Sequence, residues 1–89
     1  MNKKVNVVVW EEQDCPYCEE VKRYLTENGF EFRTIDVTGN EALREVLLIK
    51  YDVDHVPVVE IGFGKRFDAV TGMGISKLEK TLRHYRMSN

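Results

Sequence analysis

Lys4-Val5-Asn6-Val7-Val8-Val9-Trp10, the connecting Glu11-Glu12-Gln13-Asp14 and then Cys15-Pro16-Tyr17-Cys18-Glu19-Glu20-Val21-Lys22 form the stretch that decides the fold. The run from Val5 to Trp10 is apolar on both faces, which suits a central strand covered on both sides. Pro16 then opens a helix, because proline is favoured at a first helical position and Glu19 and Glu20 suit the positive end of the helix dipole. Cys18, Val21, Lys22 and Leu25 carry one stripe of that helix. A strand, a short loop and a Cys-x-x-Cys pair opening a helix give the layout of a thiol–disulfide oxidoreductase.

The spacing has chemical consequences. Two cysteines three residues apart at a helix start have Cα atoms about 5–6 Å apart, within the range a disulfide tolerates. Cys15, at or just before the first turn, meets unpaired amide N–H groups and the helix dipole, which stabilise a thiolate. Cys18 lies one turn further in, on the inward stripe, and burial makes it the poorer nucleophile. Cys15 is therefore expected to attack and Cys18 to resolve the mixed disulfide. Lowering a thiol pKa from about 8.5 to about 6 raises its thiolate fraction at neutral pH roughly 30-fold. The weaker nucleophilicity of that thiolate takes back roughly 10-fold, so the main gain comes when Cys15 departs as a leaving group. Asp14 opposes the effect, because a neighbouring carboxylate raises a thiol pKa.

Other uses of the pair fit less well. Structural zinc needs four ligands, and the chain has 2 cysteines in all and 2 histidines, His55 and His84, without finger spacing. Two bystander cysteines on a buried helix face would not need Pro16 and Tyr17 between them, nor a strand immediately upstream. No metal site is expected.

At 89 residues the chain is read as one domain, residues 1–89. Such a domain buries only about 60–65% of its unfolded surface, and a hydrophobic fraction of 43% can supply the core. The net charge of −2, with acids and bases interspersed, argues against nucleic acid and against a polybasic membrane surface. No signal peptide is read at the N-terminus, and nothing approaches the roughly 20 apolar residues of a membrane span. The expectation is a soluble, cytoplasmic monomer, in a compartment where a structural disulfide is disfavoured.

Further along, Asn28-Gly29 stops the first helix. Phe30, Phe32, Ile35 and Val37 mark a second strand, and Thr38-Gly39-Asn40 breaks the chain with Asn40 as a helix N-cap. Leu43, Val46, Leu47 and Lys50-Tyr51 give the second helix its stripe. After the loop Asp52-Val53-Asp54-His55, a strand begins at the proline of Val56-Pro57-Val58-Val59-Glu60-Ile61, turns at Gly62-Phe63-Gly64 and returns antiparallel over Lys65 to Val70. Thr71-Gly72-Met73-Gly74 leads to a last helix with Ile75, Leu78, Leu82 and Tyr85 on one face, capped by Ser76, Gly74 or Thr71. The order βαβαββα predicts an α/β fold whose four-stranded mixed sheet is flanked by three helices on both faces.

Over nearly its whole length the chain resembles the glutaredoxins. Cys15-Pro16-Tyr17-Cys18 is identical to the dithiol motif of that family, and Val56-Pro57-Val58-Val59 matches its Val-Pro segment. Thr71 to Leu78 falls, more loosely, where its glycine-rich loop enters the last helix. The resemblance implies a thioredoxin-like fold, a cis Pro57 packed beside the disulfide, and a Val56 backbone able to pair with an extended thiol substrate as an added strand. It also implies Tyr17, Val56, Pro57, Gly74 and Ser76 as substrate or glutathione contacts. Glutathione would be a co-substrate, with no cofactor tightly bound. Tyr17 either shapes the rim or is simply exposed.

Three departures bear on glutathione. Many glutaredoxins carry a lysine three residues before the first cysteine, where Glu12 stands here. The double glycine and acidic residues at the last helix are missing from Met73-Gly74-Ile75-Ser76-Lys77. His55 precedes Val-Pro, either as a cation or proton relay or as a solvated loop residue, and His84 suits a helix C-terminus. Asp14 and the last loop are similar to the glutaredoxin-like redoxins that serve ribonucleotide reductase and are reduced by thioredoxin reductase. The expected activity is reduction of protein or glutathione mixed disulfides: Cys15 attacks, Cys18 resolves, and glutathione or thioredoxin reductase recharges the pair. Disulfide-containing proteins, ribonucleotide reductase among them, are the expected partners. The competing classes are a thioredoxin-reductase-dependent redoxin that does not use glutathione, and a metal- or iron–sulfur-binding module.

Overall fold

The computed structural model describes residues 5–63, 65–71 and 75–87. In chain order the elements are β1 (Asn6–Glu11), α1 (Pro16–Glu27), β2 (Arg33–Asp36), α2 (Glu41–Tyr51), β3 (Val58–Phe63), β4 (Arg66–Val70) and α3 (Ile75–Met87). The strands form one sheet in the order β2-β1-β3-β4. β1 and β2 are parallel, as the intervening helix requires, whereas β1 with β3 and β3 with β4 are antiparallel. The sheet is mixed and four-stranded, as expected, and β1 is internal.

Strand alternation divides the core between the two faces of the sheet. Val9 opposes Val59 and Val7 opposes Ile61. These four residues and Val70 pack with Val21 and Leu25 of α1 and with Leu78, Leu82 and Tyr85 of α3. Trp10 opposes Val58, and that pair joins Val37, Val56, Cys18 and Leu47 of α2 in a second cluster. Burying Leu25 or Leu47 contributes roughly 1.5–3 kcal/mol each. The second cluster holds the helix start that carries the cysteines, so packing against α2 positions the site.

Helix ends follow local chemistry. α1 closes in a Schellman arrangement: the Gly29 N–H donates to Thr26 O at 3.2 Å and the Phe30 N–H to Leu25 O at 2.9 Å. Gly29 adopts φ +77, which a residue with a Cβ resists. Asn40 caps α2, its side chain accepting the Leu43 N–H at 3.0 Å. Asp52 ends α2 in the left-handed region at φ 58.

Four expectations need correction. The second strand is shorter than the span Phe30 to Val37: the Phe30 amide is committed to the helix C-terminus, so β2 starts only at Arg33. β3 starts at Val58, after Pro57, which has no N–H to give a ladder. Val46 is exposed, because Leu43, Leu47 and Tyr51, four residues apart, already form the inward face of α2. Ser76 is the second residue of α3 and so does not cap it, and Gly74 lies outside the described residues.

Candidate active site

Cys15 is the N-cap of α1, with extended backbone angles φ −115 and ψ 98, and Pro16 follows at the first helical position. Its carbonyl accepts the Glu19 N–H at 3.1 Å. Its sulfur takes the place a serine or aspartate oxygen usually fills, accepting the Cys18 N–H at 3.1 Å. Cys15 and Cys18 are joined as a disulfide, with Cα atoms 5.2 Å apart. Cys18 is 0% exposed, whereas Cys15 is half-buried. The amide aimed at the Cys15 sulfur and the helix dipole behind it both favour a thiolate there once the bond is reduced.

The approach to Cys15 is held by side chains of the β2–α2 connection. The Gln13 N–H donates to Thr38 Oγ1 at 2.8 Å, and the Thr38 hydroxyl donates to Asp36 Oδ1 at 2.6 Å. The Thr38 hydroxyl and amide hold the Asp36 carboxyl below its ordinary range. Asp14, at φ 59, makes the turn into the helix. Lys22 bridges Glu11 at 2.6 Å and Glu19 at 3.0 Å. The hydrogen bond to Glu11 is the main cause of its raised pKa, with Glu19 next. Glu12 pairs with Arg44 of α2 at 2.6 Å.

Opposite the pair lies the turn into β3. The Val56–Pro57 peptide bond is cis, both residues are buried, and Val56 packs in the cluster that contains Cys15 and Cys18. His55, just before it, is half-buried, and its Nε2 lies 2.5 Å from the Thr71 carbonyl oxygen. Tyr17, between the cysteines, is 49% exposed. Ser76 is exposed in the first turn of α3, and Gly74 lies outside the described residues. Thus the sulfur pair and Val56 share one packed cluster, and the cis bond to Pro57 follows Val56 directly.

Sequence reasoning passed over Glu60, although a lone acid in an otherwise apolar strand was the available signal. Its carboxylate accepts Trp10 Nε1–H at 2.8 Å, Lys50 Nζ–H at 2.7 Å and the Tyr51 hydroxyl. Burial pushes the Glu60 carboxyl up, but the bonds from Lys50, Trp10 and Tyr51 outweigh it and leave the group below its ordinary value. Burial, with the Glu60 carboxylate beside it, raises the Tyr51 phenol. This network fixes the indole that packs in the cysteine cluster. Among the described residues there is no group of three or more His, Cys, Asp or Glu that could hold a metal ion. None of the described helices is long and apolar enough to cross a membrane.

Comparison with known proteins gives the arrangement its context. The family model described as Glutaredoxin matches residues 7–64, from β1 through the cysteine pair and Val56–Pro57 to the end of β3. The chain is 51% identical over 85 residues to N-acetyl-S-hydroxy-L-cysteine reductase of Bacillus subtilis, covering 96% of this chain and 91% of that protein. It is 32% identical over 56 residues to glutaredoxin 3 of Escherichia coli, covering 63% of this chain and 68% of that one. The crystal structure of the thioredoxin-like protein BC3987 superposes with a TM-score of 0.69 at 34% identity, covering 83% of this chain and 96% of that chain.

Proposed function

Because this chain belongs to the glutaredoxin family, we propose that its Cys15/Cys18 dithiol reduces oxidised sulfur on small N-acylated cysteines. The chain is a thiol–disulfide oxidoreductase of the glutaredoxin type; the substrate class and the division of labour within the pair are the proposal. The observation that carries it is the pair itself, a half-buried Cys15 at the helix cap above a fully buried Cys18. The name of the Bacillus subtilis relative supports the choice of substrate, because an S-hydroxy cysteine is a sulfenic acid, one two-electron step above the thiol.

The Cys15 thiolate attacks the substrate sulfur. With a sulfenic acid, the S–O bond breaks as the S–S bond forms, and hydroxide leaves as water after taking one proton. With a disulfide, one substrate thiolate leaves instead. Cys18, as its thiolate, then attacks the Cys15 sulfur, closes the intramolecular disulfide and releases the reduced cysteine derivative. The Cys15–Cys18 bond carries two electrons fewer than the dithiol, and an external thiol restores them. The Val56 backbone, ahead of a proline without an N–H, is the edge along which the substrate's amide would lie.

Glu12 favours a reductant other than glutathione. Its carboxylate stands where many glutaredoxins place a lysine, and its Arg44 partner neutralises it without leaving a surplus cation. A thioredoxin-reductase-dependent supply of electrons, in the cytoplasm, suits this rim better. The exposed Tyr17 beside Cys15 favours a second class of acceptor, a docked protein disulfide such as that of ribonucleotide reductase.

The experiment is a coupled assay of NADPH oxidation with N,N′-diacetyl-L-cystine as acceptor. One arm contains glutathione with its reductase, and the other contains thioredoxin with thioredoxin reductase. Turnover above the background of each coupling system, lost with Cys15→Ser, is expected, and the thioredoxin arm should be the faster. Absence of turnover in both arms would overturn the reading.

A further inference from the structure

We propose that His55 is a positioning residue for this exchange reaction, tying the segment ahead of Pro57 to the end of β4 and so fixing the Val56 backbone on which the substrate is laid. The inference rests on the substrate-binding role proposed above for Val56. It starts from the register of the sheet: the β3–β4 ladder ends at Val59 opposite Val70. Among the described residues beyond that point, the segment Val56 to Val58 and Thr71 are not paired with one another as strands. Pro57 has no N–H with which to carry the ladder further.

The His55 imidazole supplies the missing donor. A carbonyl oxygen only accepts, so the contact between Nε2 and Thr71 O at 2.5 Å is an Nε2–H donating to the backbone. The two residues are 16 apart in sequence, which makes this a cross-link between the segment that reaches the cysteine cluster and the residue that follows β4. One segment carries Val56, which packs with Cys15 and Cys18. The other, beginning at Thr71, leads into α3. The Nε2–H is present both in the neutral tautomer that protonates this nitrogen and in the imidazolium, so the tie holds whichever of these two forms is present. A glutamine can place its amide N–H near the same point, whereas asparagine is shorter and leucine has no donor.

A tie of this kind acts on binding and leaves the sulfur chemistry alone. The test uses reduced protein in single turnover with N,N′-diacetyl-L-cystine, quenched with acid and alkylated, so that closure of Cys15–Cys18 is read by mass. His55→Leu and His55→Asn are expected to raise the half-saturating concentration roughly 3- to 10-fold, the range one neutral hydrogen bond spans. The limiting rate, and the equilibrium constant of the pair against dithiothreitol, should each stay within about 2-fold of the parent values. His55→Gln should restore most of the affinity. Parent-like saturation in both loss variants would overturn the proposal. So would a loss divided equally between limiting rate and affinity, or a failure of glutamine to rescue a folded protein. If the parent protein itself does not react with the probe, the proposed substrate class fails, and that outcome is distinct from variants that match an active parent.

Discussion

Asp14 acts on Cys15 in two ways that one substitution separates. Its backbone lies at φ 59, a region that aspartate and asparagine enter more readily than other residues with a Cβ. Its carboxylate disfavours a thiolate on the next residue. Asp14→Asn keeps the turn and removes the charge, so alkylation of reduced Cys15 by iodoacetamide at neutral pH should accelerate roughly 1.5- to 3-fold. Asp14→Ala removes the same charge but strains the turn, and its thermal midpoint should fall below that of the asparagine variant. Cys18→Ser tests the assignment of roles, because a Cys15 mixed disulfide then has no resolving thiol. Mass spectrometry after exposure to N,N′-diacetyl-L-cystine should show one N-acetylcysteine attached at Cys15. An adduct on the wild type of equal lifetime would refute the assignment.

At the level of elements, α2 carries the clearest stability predictions. Asn40→Ala should cost about 1 kcal/mol by removing the side chain that accepts the Leu43 amide, lowering the melting temperature by about 4–8 °C. Asp52→Gly relieves a left-handed backbone at φ 58 and should shift the midpoint upward in the same measurement. The residues that end helices were legible in the sequence, because Pro16, Asn28-Gly29 and Asn40 act locally. The extent of β2 was not. Phe30 and Phe32 look like strand residues, but the Phe30 amide belongs to the closure of α1, and both rings pack beside the first cluster from outside the ladder. Val46 was misplaced for a related reason: apolar character marks what can be buried, and only tertiary packing decides which face is covered. The cysteine pair and Val56–Pro57 were readable as motifs, while the partners of Glu12, His55 and Glu60 depend on residues between 9 and 50 positions away.

Across the whole molecule, Glu60 joins three elements, accepting from Trp10 on β1 and from Lys50 and Tyr51 on α2 while sitting on β3. Its carboxyl is lower in the folded protein than its ordinary value of 4.5. Such a group binds its proton more weakly when folded, so its stabilisation is complete above that ordinary value and is lost as pH falls through the lower folded value. Glu60→Gln should therefore lower the urea midpoint at neutral pH, and the gap between the two proteins should narrow in acid. A gap that is constant from neutral pH to about pH 3 would show that the charge contributes nothing.

The Cys15 sulfur that caps α1 changes character in every catalytic cycle. As a thiolate it is a charged acceptor for the Cys18 amide, and in the disulfide it is a neutral and weaker one. The first turn of α1 is thus better secured in the reduced protein, and by linkage the helix itself pulls the equilibrium toward the dithiol. Weakening that turn anywhere would make the protein a more forceful electron donor, so the sturdiness of a helix end sets how readily the molecule gives its electrons away.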